Sequence, residues 1–371
     1  MRAPWSLLAL LAACGPAPAG PAAPPAVVLI ELPPPAPAPA PTPPPSAAIP
    51  PDALAPAPSP AADAPVLTLD DGPAGTWTGQ HGNLEHPIMH VWGAGEDAYA
   101  VAGRSLIHSN DRGLTWWPVT IPTDAHVASV WGAGPDDVYV GSRGTAFRST
   151  DRGRTWTRLR MPAPVHYNAF WGDEKDLWVV GSEGTVGHSS DHGATWDRQA
   201  KDLQLGWLYA VWGHGKDVWV AGEGGASSAA LIHTANGGKT WTAVNIQASP
   251  LRGICGTGDG SLYAIDARGS VHGSVDHGKT WKELKSFGGL ELTALACNGK
   301  SEVYVGGRNR TFQRSADGGK TWVDDLAAQN KWTKVAFSAV YALWVVPGGA
   351  VYAGGEGVYS PHPTGTLFRR R

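Results

Sequence analysis

Several residues in this chain could do chemistry, and they recur at matching places. Glu183 and Glu223 each lie between two short apolar runs, forty residues apart. Two carboxylates on one face, about 5–10 Å apart, would suit glycoside hydrolysis. The 13 histidines could bind metal or shuttle protons. They are scattered, however, and no pair has metal-ligand spacing, so no metal and no cofactor is expected. Cys255 and Cys297 are the only cysteines beyond the first fourteen residues. Each follows a short apolar run. They are expected either to bridge or to stand as two separate buried thiols.

The commonest such element is a turn. The chain writes "SNDRGLTW", "STDRGRTW", "SSDHGATW", "TANGGKTW", "SVDHGKTW" and "SADGGKTW". The third residues are Asp111, Asp151, Asp191, Asn236, Asp276 and Asp317. An aspartate here can accept from amides within its own turn, and the glycine allows a positive φ. A tryptophan closing the turn can wedge between sheets. A structural role is expected, and the turn supplies no catalytic residue.

The closing tryptophans, Trp116, Trp156, Trp196, Trp241, Trp281 and Trp322, are spaced by 40, 40, 45, 40 and 41 residues. A second mark precedes each turn, as in "VWGAGEDAYAVAG" and "FWGDEKDLWVVGS". It places Trp92, Trp131, Trp171, Trp212, Cys255, Cys297 and Trp344 in one expected equivalent position, giving seven units. Each unit reads as four short strands; the second is "HVASVW", "DDVYVGS", "GTAFRST" and "TWTRLR". A period of 40–45 residues with four strands predicts an all-β, seven-bladed β-propeller over residues 66–371. Trp77 lies 39 residues before Trp116. Its segment is expected to supply the outer strand of the seventh blade, or else an extra strand beyond a complete one.

Twenty of the 32 prolines fall within residues 16–65. Such a stretch cannot bury a core and is expected to be a disordered, extended Pro/Ala tether over 14–65. Before it, residues 1–13 read as a signal peptide with Arg2 and a short apolar run. The sequence Leu11-Ala12-Ala13-Cys14 resembles a bacterial lipobox, which implies lipidation at Cys14 and an outer-membrane anchor. Net charge is −3 and the pI is near 6.5. No basic groove for nucleic acid is indicated.

The six turns resemble the Asp box of neuraminidase-type repeat propellers, and "Gly-Gly-Lys-Thr-Trp" is most similar to the photosystem II stability and assembly factors. That resemblance implies a non-catalytic scaffold, here a monomer, binding a protein or envelope partner. The same repeat occurs in sialidases, so a carbohydrate-binding or hydrolytic propeller is the alternative. Sialidases use three arginines and a Tyr–Glu pair. Here Tyr167, Tyr209 and Tyr341 are not marked out by a glutamate partner. The expected binding face is the end where second and third strands meet. Its rim would carry Arg104, Arg143, Glu183, Glu223, Arg268, Arg308 and Glu356, split into acidic and basic arcs. Nearby loops add His166, Tyr167, Trp207, Arg252 and Trp332.

Overall fold

Seven antiparallel sheets stand around one axis in the computed structural model. The structure describes residues 67–68, 77–81, 84–124, 126–173, 176–325, 337–346, 349–357 and 365–370. All belong to the unit Ser59–Arg371. The tether, Cys14 and Trp332 lie outside the described residues. Among the latter there is no α-helix, only a 3-10 turn at Gly225–Ser227.

The innermost strands, one per blade in chain order, are Ile88–Ala94, Val127–Gly134, Tyr167–Gly172, Leu205–His214, Leu251–Gly256, Leu292–Asn298 and Phe337–Val345. Second strands, such as Asp97–Ala102 and Leu177–Gly181, are buried along their whole length. Both of their faces meet a neighbouring blade, so their sequences are apolar rather than alternating. Outer strands run from two residues, as in Thr157–Arg158 of blade two, to five, as in Lys282–Ser286 of blade five. Short, charged edges resist pairing with other chains.

The ring closes through the N-terminal segment. Trp77–His81 pairs antiparallel with Gly365–Arg370 and is the outer strand of blade seven. The indole of Trp77 is buried and donates to Asp325 at 2.6 Å, on blade six. Leu67–Thr68 pairs with Thr115–Trp116 and adds a fifth strand to blade one. The N-terminal segment therefore stitches both sides of the blade seven–blade one seam.

The inner strands interlock by size. Cross-strand register aligns Trp92, Trp131, Trp171, Trp212, Cys255, Ala296 and Trp344, each opposite an aromatic residue of the second strand. One residue later come Gly93, Gly132, Gly172, Gly213, Gly256, Cys297 and Val345. Each tryptophan reaches the glycine of the next blade. A Cβ on Gly132 would come within 2.5 Å of Trp92, and one on Gly256 within 2.4 Å of Trp212. The indole of Trp344 donates to the Gly93 carbonyl at 2.9 Å.

This corrects the expected equivalence of Cys297. It stands in the glycine position, and Ala296 takes the tryptophan position. Cys255 and Cys297 therefore face each other across a seam, with Cα atoms 5.9 Å apart, and form a disulfide. The next seam sets Ala296 against Val345. Glycine follows only where the preceding blade sends a tryptophan.

Candidate functional site

The end carrying the repeated turns is tightly stapled. In the second turn Asp151 accepts from the Thr155 amide at 2.8 Å and the Thr155 hydroxyl at 2.6 Å. Ser149 donates to the same carboxylate at 2.8 Å and accepts from the Gly153 amide at 2.7 Å. The Trp156 indole donates to the Gly153 carbonyl at 3.1 Å. Gly153 has φ 78°. In the third turn the Thr195 hydroxyl, then its amide and Ser189, pull the Asp191 carboxyl down to about 2. Asn236 makes a weaker copy, and the Trp241 indole has no partner there.

Three third-strand histidines belong to the same end, while His272 bonds Asp266 toward the other. His108, His188 and His233 stack on Tyr99, Trp178 and Trp219, with ring centroids 4.3, 4.1 and 3.9 Å apart. Each bonds an aspartate between the first two strands: Asp97, Asp176 or Asp217. Arg148 takes this place in blade two, over Tyr139 and paired with Asp137. No group of three His, Cys, Asp or Glu able to hold a metal exists among the described residues.

The opposite end opens on the axial channel, a cavity of about 460 Å³. Every inner strand carries a register shift near its start. A bulge re-aims one side chain. The residues it places at the mouth, in blade order, are Met89, Ala128, Asn168, Tyr209, Arg252, Thr293 and Tyr341, all lining the cavity.

Around this mouth the expected rim residues divide into distinct settings. Arg104, Arg143, Glu183, Arg268 and Arg308 are exposed at turns between second and third strands. Arg308 pairs with Glu291 at 2.8 Å. Glu223 and Glu356 are half-buried and face tyrosines instead of solvent. The Tyr209 hydroxyl donates to Glu223 at 3.4 Å, and that of Tyr341 to Glu356 at 3.2 Å. Two Tyr–Glu pairs therefore exist where the sequence marked none. Tyr167 is fully buried, its hydroxyl donating to the Ala163 carbonyl, so it leaves the rim.

One continuous track crosses blades two to five. Arg143 Nε donates to His166 Nε2 at 2.7 Å. Burial, then the Arg143 charge, holds the His166 imidazole below its ordinary value, which suits an accepting nitrogen. His166 lies 5.7 Å from Trp207, which stacks on Tyr209 at 6.5 Å. Arg252 sits over the Tyr209 ring at 4.4 Å. Trp207 is 42% exposed, large for a tryptophan. Neither Arg143 nor Arg252 has an acidic partner among the described residues. The ladder presents aromatic faces and unmatched positive charge, the residue types that dominate binding hot spots.

These features define a seven-bladed propeller with an aromatic and basic mouth. Compared with known proteins, residues 165–286, covering blades three to five, match the family described as photosynthesis system II assembly factor YCF48. Among solved structures, YCF48 bound to D1 peptide is 19% identical, with a TM-score of 0.64, covering 82% of this chain and 97% of that one. YCF48 from Cyanidioschyzon merolae is 15% identical, with a TM-score of 0.61 and coverage of 80% and 98%. The GH74 xyloglucanase from Xanthomonas campestris is 16% identical, with a TM-score of 0.59, covering 78% of this chain and 55% of that one. At such identities the likeness is one of fold. No curated protein matches the sequence.

Proposed function

We propose that this protein is a non-catalytic, lipid-anchored envelope scaffold whose propeller binds a protein partner through the track from Arg143 to Arg252. The observation that carries this reading is Trp207, exposed between His166 and Tyr209 and flanked by two arginines without acidic partners. The match to the YCF48 family over the three blades that bear Trp207 supports it. So does the likeness to a YCF48 described as bound to a peptide. The partner segment would bring acidic residues for the arginines and apolar or aromatic ones for Trp207. Lipidation at Cys14 would hold the propeller at the outer membrane on its Pro/Ala tether. Cys14→Ser would then move the protein to the soluble fraction.

The test is capture of partners from envelope extract by the full chain and by Trp207→Ala. Loss of a central aromatic anchor should weaken the captured complex roughly 30-fold or more. Equal capture by both proteins at equal melting temperature would place the partner site elsewhere.

A second reading is favoured by the Tyr209–Glu223 and Tyr341–Glu356 pairs beside Arg252 and Arg308, together with the hydrolase among the fold relatives. In that reading the mouth binds or cleaves a glycan. Release of the chromophore from aryl glycosides, abolished by Tyr209→Phe, would establish it.

A further inference from the structure

Below the mouth the channel narrows to a waist. The residues following the bulge are His90, Ser129, Ala169, Ala210, Gly253, Ala294 and Ala342. Six of the seven are small, which leaves space at the axis. The polar groups near this level mostly hold the ring together. Asn168 Nδ2 donates to the Leu208 carbonyl at 2.8 Å. The Ser129 hydroxyl donates to the Tyr167 carbonyl at 3.1 Å, and Thr293 to the Val340 carbonyl. Each of these bonds crosses to the next blade.

Two polar side chains are exceptions. Among the described residues the Arg252 guanidinium, half-buried at the mouth, has only the face of Tyr209. Glu223, on the neighbouring blade, accepts from the Tyr209 hydroxyl. His90 lines the waist and makes no hydrogen bond among the described residues. Burial holds its imidazole down to about 4, so it is neutral and can both donate and accept. An unpaired half-buried cation is costly unless something completes it.

We propose that the channel is a binding site for a small organic acid, its carboxylate paired with Arg252 and its body lying on the alanine-lined waist beside His90. A planar guanidinium matches a carboxylate with two parallel bonds. One strand residue, about 3.3 Å, separates the two levels. Arg252 and His90 stand on blades five and one, on opposite sides of the ring, so a molecule with a carboxylate at one end and a hydroxyl or carbonyl at its other end would meet both groups. The cavity of about 460 Å³ is of the usual size for such a ligand. This site shares Arg252 with the partner track but needs neither Trp207 nor a protein partner.

Calorimetric titration of the full chain with hexanoate, 6-hydroxyhexanoate and benzoate, against hexanamide and hexylamine, tests the assignment. The acids should bind, 6-hydroxyhexanoate best, with the amide and the amine about tenfold weaker or worse. Arg252→Met should weaken the acids by about tenfold or more, and Arg252→Lys by less. His90→Ala should remove the advantage of the hydroxy acid. Trp207→Ala, which abolishes capture if the partner reading holds, should leave acid binding unchanged. Equal binding of acid and amide, undiminished binding by a folded Arg252→Met, or no binding of any acid up to about 10 mM overturns the proposal. A short peptide with a free C-terminus that binds far more tightly than every small acid overturns it too, because the carboxylate would then belong to a chain end.

Discussion

Where third and fourth strands meet, Asp151 accepts from Ser149 and Thr155, and the Gly153 amide is held by Ser149. The corresponding glycines lie against an aromatic ring of the preceding blade: Gly113 on Tyr352, Gly278 on Trp219. The Tyr352 hydroxyl also donates to the Arg112 carbonyl at 2.8 Å. Where second and third strands meet, Arg143 has only a neutral imidazole, Arg252 only a ring face, and Trp207 looks outward. The same seven repeats build both ends. One end uses its polar groups to lock blades together, and the other leaves some unanswered. Unanswered groups on rigid elements are what a binding site needs. The stapled end supplies the rigidity.

The seams give the strongest way to break this contrast. Gly132→Val would push a side chain into Trp92 and should cost about 1–3 kcal/mol by overpacking. In the double variant Trp92→Ala/Gly132→Val the seam becomes a copy of the natural Ala296/Val345 pair. Melting or urea unfolding should then show less destabilisation than the two single changes added together. Simple additivity would mean that the size match between blades does not set the packing.

Much of this architecture was legible in the sequence because its signal is repeated. The forty-residue period gave the blades, and the 39-residue spacing of Trp77 marked a strand beside blade seven; only the pairing with Gly365–Arg370 decides that it is the outer strand and not an extra one. Cys297 was misplaced by one residue for a physical reason. From the inner aromatic to that of the second strand is seven residues in Trp92–Tyr99 and eight in Trp131–Tyr139. Counting from Tyr304 therefore allows either Ala296 or Cys297, and only hydrogen-bond register decides. The Tyr–Glu pairs were hidden because 14 or 15 residues separate the partners. Their meeting depends on bulges, which leave no mark in an apolar run. The two-residue strand Leu67–Thr68 is too short for any periodicity.

The turns themselves carry a smaller effect. Asp151→Ala removes the acceptor that orders its turn and should cost about 1–2 kcal/mol; Asp151→Asn should cost less, since Asn236 already serves in blade four. Acid should act on all the aspartates together. Hydroxyl and amide donors of the turns hold Asp191, Asp276 and Asp317 near 2, below their ordinary 3.8. A carboxyl depressed in the folded state adds stability above the unfolded value and loses it as pH falls. The melting temperature should therefore be flat above about pH 4 and drop between about pH 4 and 2. A plateau that persists to pH 2 would mean that the turns contribute nothing through charge.

The smallest expected effect is at the open end, and it is the sharpest test of the contrast. Arg143 is exposed, and its one side-chain partner is His166, which keeps Trp207 on its other side. Trp207 already has much of its surface in water, so its truncation removes little buried area. Arg143→Ala and Trp207→Ala should each change unfolding free energy by no more than about 0.5 kcal/mol. The turn tryptophans, of the same residue type, cannot be removed so cheaply: Trp116 is fully buried and its indole donates to the Gly113 carbonyl. A large destabilisation by Trp207→Ala would make its ring part of the fold, tying blade three to blade four. A neutral result leaves its position in the track without a structural reason, and binding is then the function that accounts for an exposed indole held between a histidine and a tyrosine.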